Sequence, residues 1–553
     1  MSAPGEAPVT GPAQAAAPGA GRAQSTVRRI IVLVLLFALV TVAAIGLSGL
    51  LTRVLDPGST LVTDDAGLAR ALAFTFIAGP LAGVLWWWEH RRLRDPAERA
   101  SLVWALYLVA MSLVALVTAT IGAASAIAEG LDGRWDASSA CVALVWGGVW
   151  VWHRWMRRSA ATAPTRLVEV TPAIGTVYGL IVATVGSIGA LRAIVSAGLE
   201  IFLPVLVSTR PWLLEVGQAL TWAAIGAAVW WWHWTRERGR EGRGGFASVL
   251  LILTVGAAAA LTLFAVGTLL FVVLQLVFGT DAVAVVLRPL DTAVASALVG
   301  GIVWTAQSRI LSARPDSVRR SGRLLISAVA LVGAASGLGV VVNALLASIV
   351  SPLVDTDPRT LLLGGLSALA VGLPVWWIAW NPTRSVPAEE AALPARRVYL
   401  IAIFGASAIV AVVTLLLIGF RLFQFVLGPT EAGGLVERIR APFGLLIATA
   451  VVFAYHFAVW RSDRRIARDV VPRQTIGRVL LVTGGDASGL VAAVRSETGA
   501  QVTTMRASVP DEVLALGEED APAVLDALRG LTARRVLVVA TVEGGIRAVP
   551  LED

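Results

Sequence analysis

The 553-residue chain is 57% hydrophobic and only 15% charged, with a mean hydropathy of +0.77, where soluble domains carry roughly 25% charged residues. That balance excludes a soluble enzyme and a disordered chain; with 1 Cys and 4 His, a disulfide scaffold and a Cys-based metal protein are excluded too. The net charge is +8, but all 45 basic residues are Arg and lie in short clusters between apolar runs, as membrane topology signals do, so nucleic acid is not expected as a partner.

Residues 1–27 are rich in Ala, Pro and Gly and nearly devoid of large apolar side chains, so they are expected to form a disordered tail. The first long apolar run starts after Arg28-Arg29 and continues to Leu51. It is long enough to span a bilayer, which reads as a first transmembrane helix and not as a signal peptide. Twelve spans are predicted: about 30–54, 67–90, 101–128, 138–156, 172–207, 213–235, 246–278, 289–311, 322–351, 360–381, 397–427 and 441–461. Several odd-numbered runs would make helices of roughly 45 Å. The hydrocarbon core is about 30 Å thick, so these helices are expected to tilt or protrude.

Arginine alternates between loops. His90-Arg91-Arg92-Leu93-Arg94 exemplifies one side and Asp355-Thr356-Asp357 the other. The positive-inside rule then puts both termini in the cytoplasm of a bacterial cell, with the chain in its inner (plasma) membrane.

The spans come in similar pairs. Even helices end in Trp-rich turns: Trp86-Trp87-Trp88-Glu89-His90, Trp150-Val151-Trp152-His153-Arg154-Trp155, Trp230-Trp231-Trp232-His233-Trp234 and Trp376-Trp377-Ile378-Ala379-Trp380, with weaker copies at Trp304 to Arg309 and Tyr455-His456-Phe457. Several odd helices start after a basic residue, most clearly at Arg397-Val398-Tyr399-Leu400. This gives six copies of a two-helix hairpin, all oriented alike and related about the membrane normal. On these motifs residues 28–465 resemble a bacterial family of integral-membrane domains of unknown function, whose repeats pair an Arg/Tyr start with a Trp/His-Trp end. The resemblance implies a fold and a topology and no activity. The fold class expected is an all-α integral-membrane bundle of about twelve helices with a small cytoplasmic α/β C-terminal domain. Residues 466–474 would be a linker and residues 475–553 the domain.

His90, His153, His233 and His456 close even helices at the Arg-rich end. They could ring a metal or sense pH, but the reading favoured is that they join the Trp and Arg anchors at the headgroup level, with no metal and no cofactor. Within the spans, Arg192, Glu200, Gln275, Asn343 and Arg421 lie in the outer portions of odd helices. Intramembrane polar groups are suspects for function because burying them unpaired is costly. No Asp or Glu falls at mid-depth, which counts against a proton- or cation-coupled transporter. Gly79-Pro80 and Gly372-Leu373-Pro374 are candidate kinks.

In the C-terminal region, Arg478–Thr483 and Gln501–Ala507 read as strands, Ala487–Thr498 and Asp520–Leu531 as helices, and Arg535–Thr541 with Ile546–Leu551 as a hairpin. The turn containing Gly484, Gly485, Asp486 and Ser488 leads from strand to helix. It could offer backbone amides to a phosphate; a plain turn capped by Asp486 or Ser488 is the reading favoured. The sequence holds no nucleophile elbow, HExxH motif or Cys-pair metal site. The expectation is therefore a non-enzymatic membrane scaffold or sensor whose tail binds a ligand or partner, the alternative being a transporter or channel with a path between the repeats. Implied partners are the lipid bilayer with its anionic headgroups, a cytoplasmic protein or small molecule, and a second copy of the chain as a homo-oligomer.

Overall fold

A computed structural model describes residues 18–56, 65–202, 211–349, 357–384, 394–427, 434–470, 476–483, 487–506, 516–531, 533–540 and 545–551. Twelve long helices come first: α1 Pro18–Leu55, α2 Asp65–Arg92, α3 Leu102–Leu131, α4 Ala137–Arg158, α5 Val170–Phe202, α6 Trp212–Arg236, α7 Gly245–Phe278, α8 Leu290–Ser312, α9 Asp316–Ile349, α10 Pro358–Arg384, α11 Pro394–Leu427 and α12 Leu435–Val470. The α/β segment follows as β1 Ile476–Thr483, α13 Ser488–Thr498, β2 Gln501–Arg506, α14 Ala521–Leu528, β3 Ala533–Ala540 and β4 Ile546–Leu551.

Among the described residues, 11 helices are long and apolar enough to cross a membrane, one fewer than expected. The exception is α4. It opens on Ala137-Ser138-Ser139, closes on His153-Arg154 and Arg157-Arg158, and holds four Trp, which favour interfaces over hydrocarbon. Its start is set by Asp136, which accepts the Ser139 backbone N–H at 3.1 Å. The hydrogen bond from the Ser139 side chain holds the Asp136 carboxyl below the usual carboxylate range. Helix α1 begins at Pro18, inside the stretch expected to be a tail, because Pro tolerates the first helical turn and Ala favours the helix. Helix α12 likewise runs into the expected linker, ending at Val470.

The chain divides into one compact unit of residues 1–334 with 366–373 and a second of 335–365 with 374–553. In the first unit, α3 packs on α4, α5 on α6 and α7 on α8, the antiparallel pairs expected of hairpins. The α5–α6 contact is backbone against backbone. A Cβ at Gly179 would overlap the Trp230 backbone N, one at Gly186 the Ala223 N, and one at Gly226 the Ala183 N. Small residues thus let the helix axes approach as far as main-chain atoms allow. A Cβ on Gly122 of α3 would lie 2.8 Å from the Ala143 N of α4. Nearer the Arg-rich end, Leu33, Leu36, Leu108, Met111 and Met156 form a tight apolar core with Trp104. Gly79-Pro80 follows a π-helical turn at Phe74–Ala78, a widened turn beside the position where Pro lacks its N–H.

In the second unit α11 packs on α12, and Gly339 of α9 meets Gly444 of α12. Large apolar side chains point outward in both units, including Ile302 and Phe264 in the first and Leu416 and Val413 in the second. Pro374 and Pro382 lie inside α10.

The C-terminal segment folds into a four-stranded sheet in the order β2-β1-β3-β4. Strand β1 runs parallel to β2 and β3, with Val479 opposite Val502 and Val536, and β3–β4 is the expected antiparallel hairpin. Val479, Leu481, Val536 and Val538 pack against Leu490 and Val494 of α13 and Val524 and Leu528 of α14. The alternation of buried and partly exposed residues along β1 is what a sheet with one covered face requires.

Candidate functional site

The histidines are placed differently from the expected headgroup anchors. His153, His233 and His456 are buried, and only His90 is half-exposed, its ring 5.4 Å from that of Trp86. Each buried ring uses Nδ1–H to donate to the carbonyl four residues earlier: Val149 at 2.8 Å, Val229 at 2.9 Å and Val452 at 2.9 Å. A carbonyl can only accept, so Nδ1 carries the proton and Nε2 presents a lone pair. For His153 that lone pair takes the Tyr107 hydroxyl of α3 at 3.2 Å. His233 faces the bare backbone of Gly175, whose missing Cβ makes room for the ring. His456 sits among Trp380, Tyr399 and Tyr455. The helical period turns these residues toward the partner helix, while the neighbouring exposed Trp stack with arginine: Arg91 lies over Trp87 at 3.7 Å and Arg92 over Trp88 at 4.5 Å. Glu89 and Gln307, at the corresponding positions of their hairpins, are buried as well. Among the described residues, no group of three or more His, Cys, Asp or Glu could hold a metal ion.

The outer polar residues act as clips between helix ends. Arg192 of α5 approaches Asp291 at the start of α8 to 4.0 Å. Asn343 of α9 accepts from Arg440 of α12 at 3.2 Å. Arg421 of α11 donates to the Arg438 carbonyl of α12. Glu200 is half-buried two residues before α5 ends, and Gln275 is buried in the last turn of α7. Asn343 and Arg421 thus reach different residues of α12, Arg440 and Arg438.

Of the strand-to-helix turn, Gly484, Gly485 and Asp486 lie outside the described residues. Ser488 opens α13, and a carboxylate remote in sequence meets the first turn of this helix: Glu518 accepts the Gly489 N–H at 2.9 Å. Leu516 bridges to Thr483 at the carboxyl end of β1. The chain's own carboxylate therefore stands where an anion would meet the helix N-terminus.

The Arg-rich ends carry the strongest charge arrangement, and sequence reading missed it because the partners are far apart in the chain. Arg29, three turns into α1, meets Glu98 beyond α2 at 2.6 Å. Arg396 at the start of α11 meets Asp463 of α12 through two bonds, 2.6 Å and 3.2 Å, with both side chains largely buried. Between them in sequence, Glu237, just past α6, gathers three arginines of α4: Arg154 at 2.8 Å, Arg157 at 3.1 Å and Arg158 at 3.5 Å. The Glu237 side chain is 3% exposed. Burial alone would raise its carboxyl, but Arg157, Arg154 and Arg158 outweigh that and hold it below the usual range. A depressed carboxyl contributes stability that is complete above the ordinary Glu value of about 4.3 and is lost as pH falls through the folded value. The melting temperature is therefore expected to stay free of this acid step between about pH 8 and pH 5 and to show it only at lower pH. Glu237→Gln should melt lower at neutral pH and lack that step.

A family model described as a domain of unknown function (DUF5671) matches residues 29–145, 169–286 and 320–455. The three matches all fall in the helical region, the first and last each reaching over four helices and none covering α8, so a family domain corresponds to about two of the six hairpins read from the sequence. No curated protein and no solved structure matches the chain.

Proposed function

The chain belongs to the DUF5671 family of domains of unknown function, and from that premise we propose that it is a multi-pass protein of a bacterial plasma membrane, acting as a non-enzymatic scaffold or sensor. In this reading α4 crosses as the partner on which α3 packs, in spite of its polar ends, so that the Arg-rich helix ends and the α/β domain lie in the cytoplasm, where the domain takes a ligand or partner. The observation that carries the scaffold reading is the closure of the α5–α6 hairpin by main-chain contact at Gly179, Gly186 and Gly226, which leaves no lumen between those two helices. The polar residues a transport path would need sit instead in clips near helix ends, as at Arg192–Asp291 and Asn343–Arg440. Outward Phe264, Ile302 and Leu416 suit a surface solvated by acyl chains.

Topology and transport can be tested separately. The single cysteine, Cys141, is buried, so a Cys141→Ser background permits single-cysteine mapping. Arg240→Cys should react with an impermeant thiol reagent only after the cells are opened, and Arg134→Cys in intact cells. The reverse pattern overturns the topology. Purified protein in sealed vesicles should leave ion and small-solute leakage at the level of empty vesicles; protein-dependent flux would replace the scaffold by a transporter.

A further inference from the structure

Beside the Glu237 cluster lies a partly open cavity of about 150 Å³ lined by Arg157, Arg158 and Glu237 together with apolar Leu108, Leu167 and Val168. A single water needs roughly 10–15 Å³ by the same kind of measure, so the space suits something larger. Three guanidinium groups face one carboxylate, an excess of positive charge. The Arg157 side chain is 10% exposed. Its Nη1 donates to Glu237, while Nε and Nη2 are buried without a hydrogen-bond partner. An unmet buried donor is costly, more so on a charged group, and a planar fork with two free N–H groups matches an oxyanion.

The walls are held in place. Trp104 Nε1–H donates to the Thr162 carbonyl at 2.9 Å, and the Thr162 hydroxyl donates to the Met156 carbonyl at 2.7 Å. These bonds tie the connection between α4 and α5 to α3 and α4. In that connection Leu167 adopts φ of 54°, a left-handed conformation that costs a non-Gly residue energy and is found at ligand clamps.

We propose that this cavity is a binding site for a phosphate group, with Arg157 as the central ligand, Arg158 as the solvent-side ligand and the apolar wall beside them. The phosphate comes either from an anionic lipid headgroup, whose chains the apolar wall would accommodate, or from a soluble phosphate or phosphate ester. The assignment names a ligand class for the Arg-rich face of the preceding reading and depends on that reading only for the lipid source.

The full-length protein in a neutral detergent is titrated with inorganic phosphate, and separately reconstituted in phosphatidylcholine vesicles with and without phosphatidylglycerol; thermal unfolding reads each arm. Binding raises the melting temperature in at least one arm. Arg157→Gln should weaken the response by roughly tenfold or more, as loss of a charge-assisted pair implies. Arg157→Lys should retain part of it, and Arg192→Gln, outside the cavity, should leave it unchanged. A response to phosphate alone assigns a soluble ligand; one that needs phosphatidylglycerol assigns a headgroup. If neither arm responds, or if Arg157→Gln folds and responds as the parent does, the site is disproved. If Arg157→Gln fails to fold, Arg158→Gln, whose side chain is 49% exposed, decides: an unchanged response disproves the site. A protein that binds phosphate in detergent yet fails the cysteine mapping refutes the topology and leaves the site standing.

Discussion

Gly226→Leu is expected to cost more than roughly 3 kcal/mol, at or beyond the upper end of ordinary overpacking. The reason is the nature of the neighbour. A Cβ at this position runs into the Ala183 backbone N and the Val182 carbonyl carbon of α5, and main-chain atoms cannot swing aside as a side chain can. The two helices must separate, which also opens the contacts at Gly179 and Gly186 on the same seam. The control is Gly267→Leu on α7, where nothing lies within 4 Å of the added Cβ. Unfolding in detergent, followed by circular dichroism, should show Gly226→Leu much less stable than the parent and Gly267→Leu close to it. Equal stability of the two variants would mean that α5 and α6 are not in main-chain contact.

The second large effect concerns Arg396 and Asp463. Asp463→Ala removes both acceptor oxygens of a buried pair and leaves Arg396, which is 5% exposed, with its charge stranded beside Trp380. Breaking one side of such a pair costs about 3–5 kcal/mol, whereas replacing both partners by apolar residues of similar size is often neutral. The expected result is a strongly destabilised Asp463→Ala, a comparable loss for Arg396→Met, and recovery of most of it in Arg396→Met/Asp463→Leu. A double-mutant cycle from the same unfolding curves reads the coupling. Additive losses would show that the pair does not clasp α11 to α12.

These two contacts illustrate what was legible in advance. The glycine-rich seams follow from composition, since Gly and Ala recur at helical spacing in apolar runs; that Gly226 faces Ala183 across the hairpin follows only from packing. The Arg396–Asp463 pair spans 67 residues, and no local pattern singles out Asp463 among the Arg residues around it. The histidines show the converse. Their recurrence at helix ends was plain, but it is Trp87 and Trp88, under Arg91 and Arg92, that stay exposed, while His153, His233 and His456 turn inward. One residue is a rotation of about 100° on a helix, and the sequence alone does not fix the absolute rotation when Trp, His and Arg are all amphipathic.

By itself, the sequence determined the approximate limits of the apolar helices, α4 excepted, their pairing into hairpins and the strand-helix order of the C-terminal domain. Hydropathy, helical period and β-branched runs are local properties, each legible within one window of chain. Only the tertiary structure decided which polar residues meet: Glu237 with three arginines of α4, Glu518 on the α13 amide, Arg192 with Asp291. Such encounters depend on helix rotation and on how neighbouring hairpins lie together, and both are set by the sum of many weak contacts distributed over the whole unit.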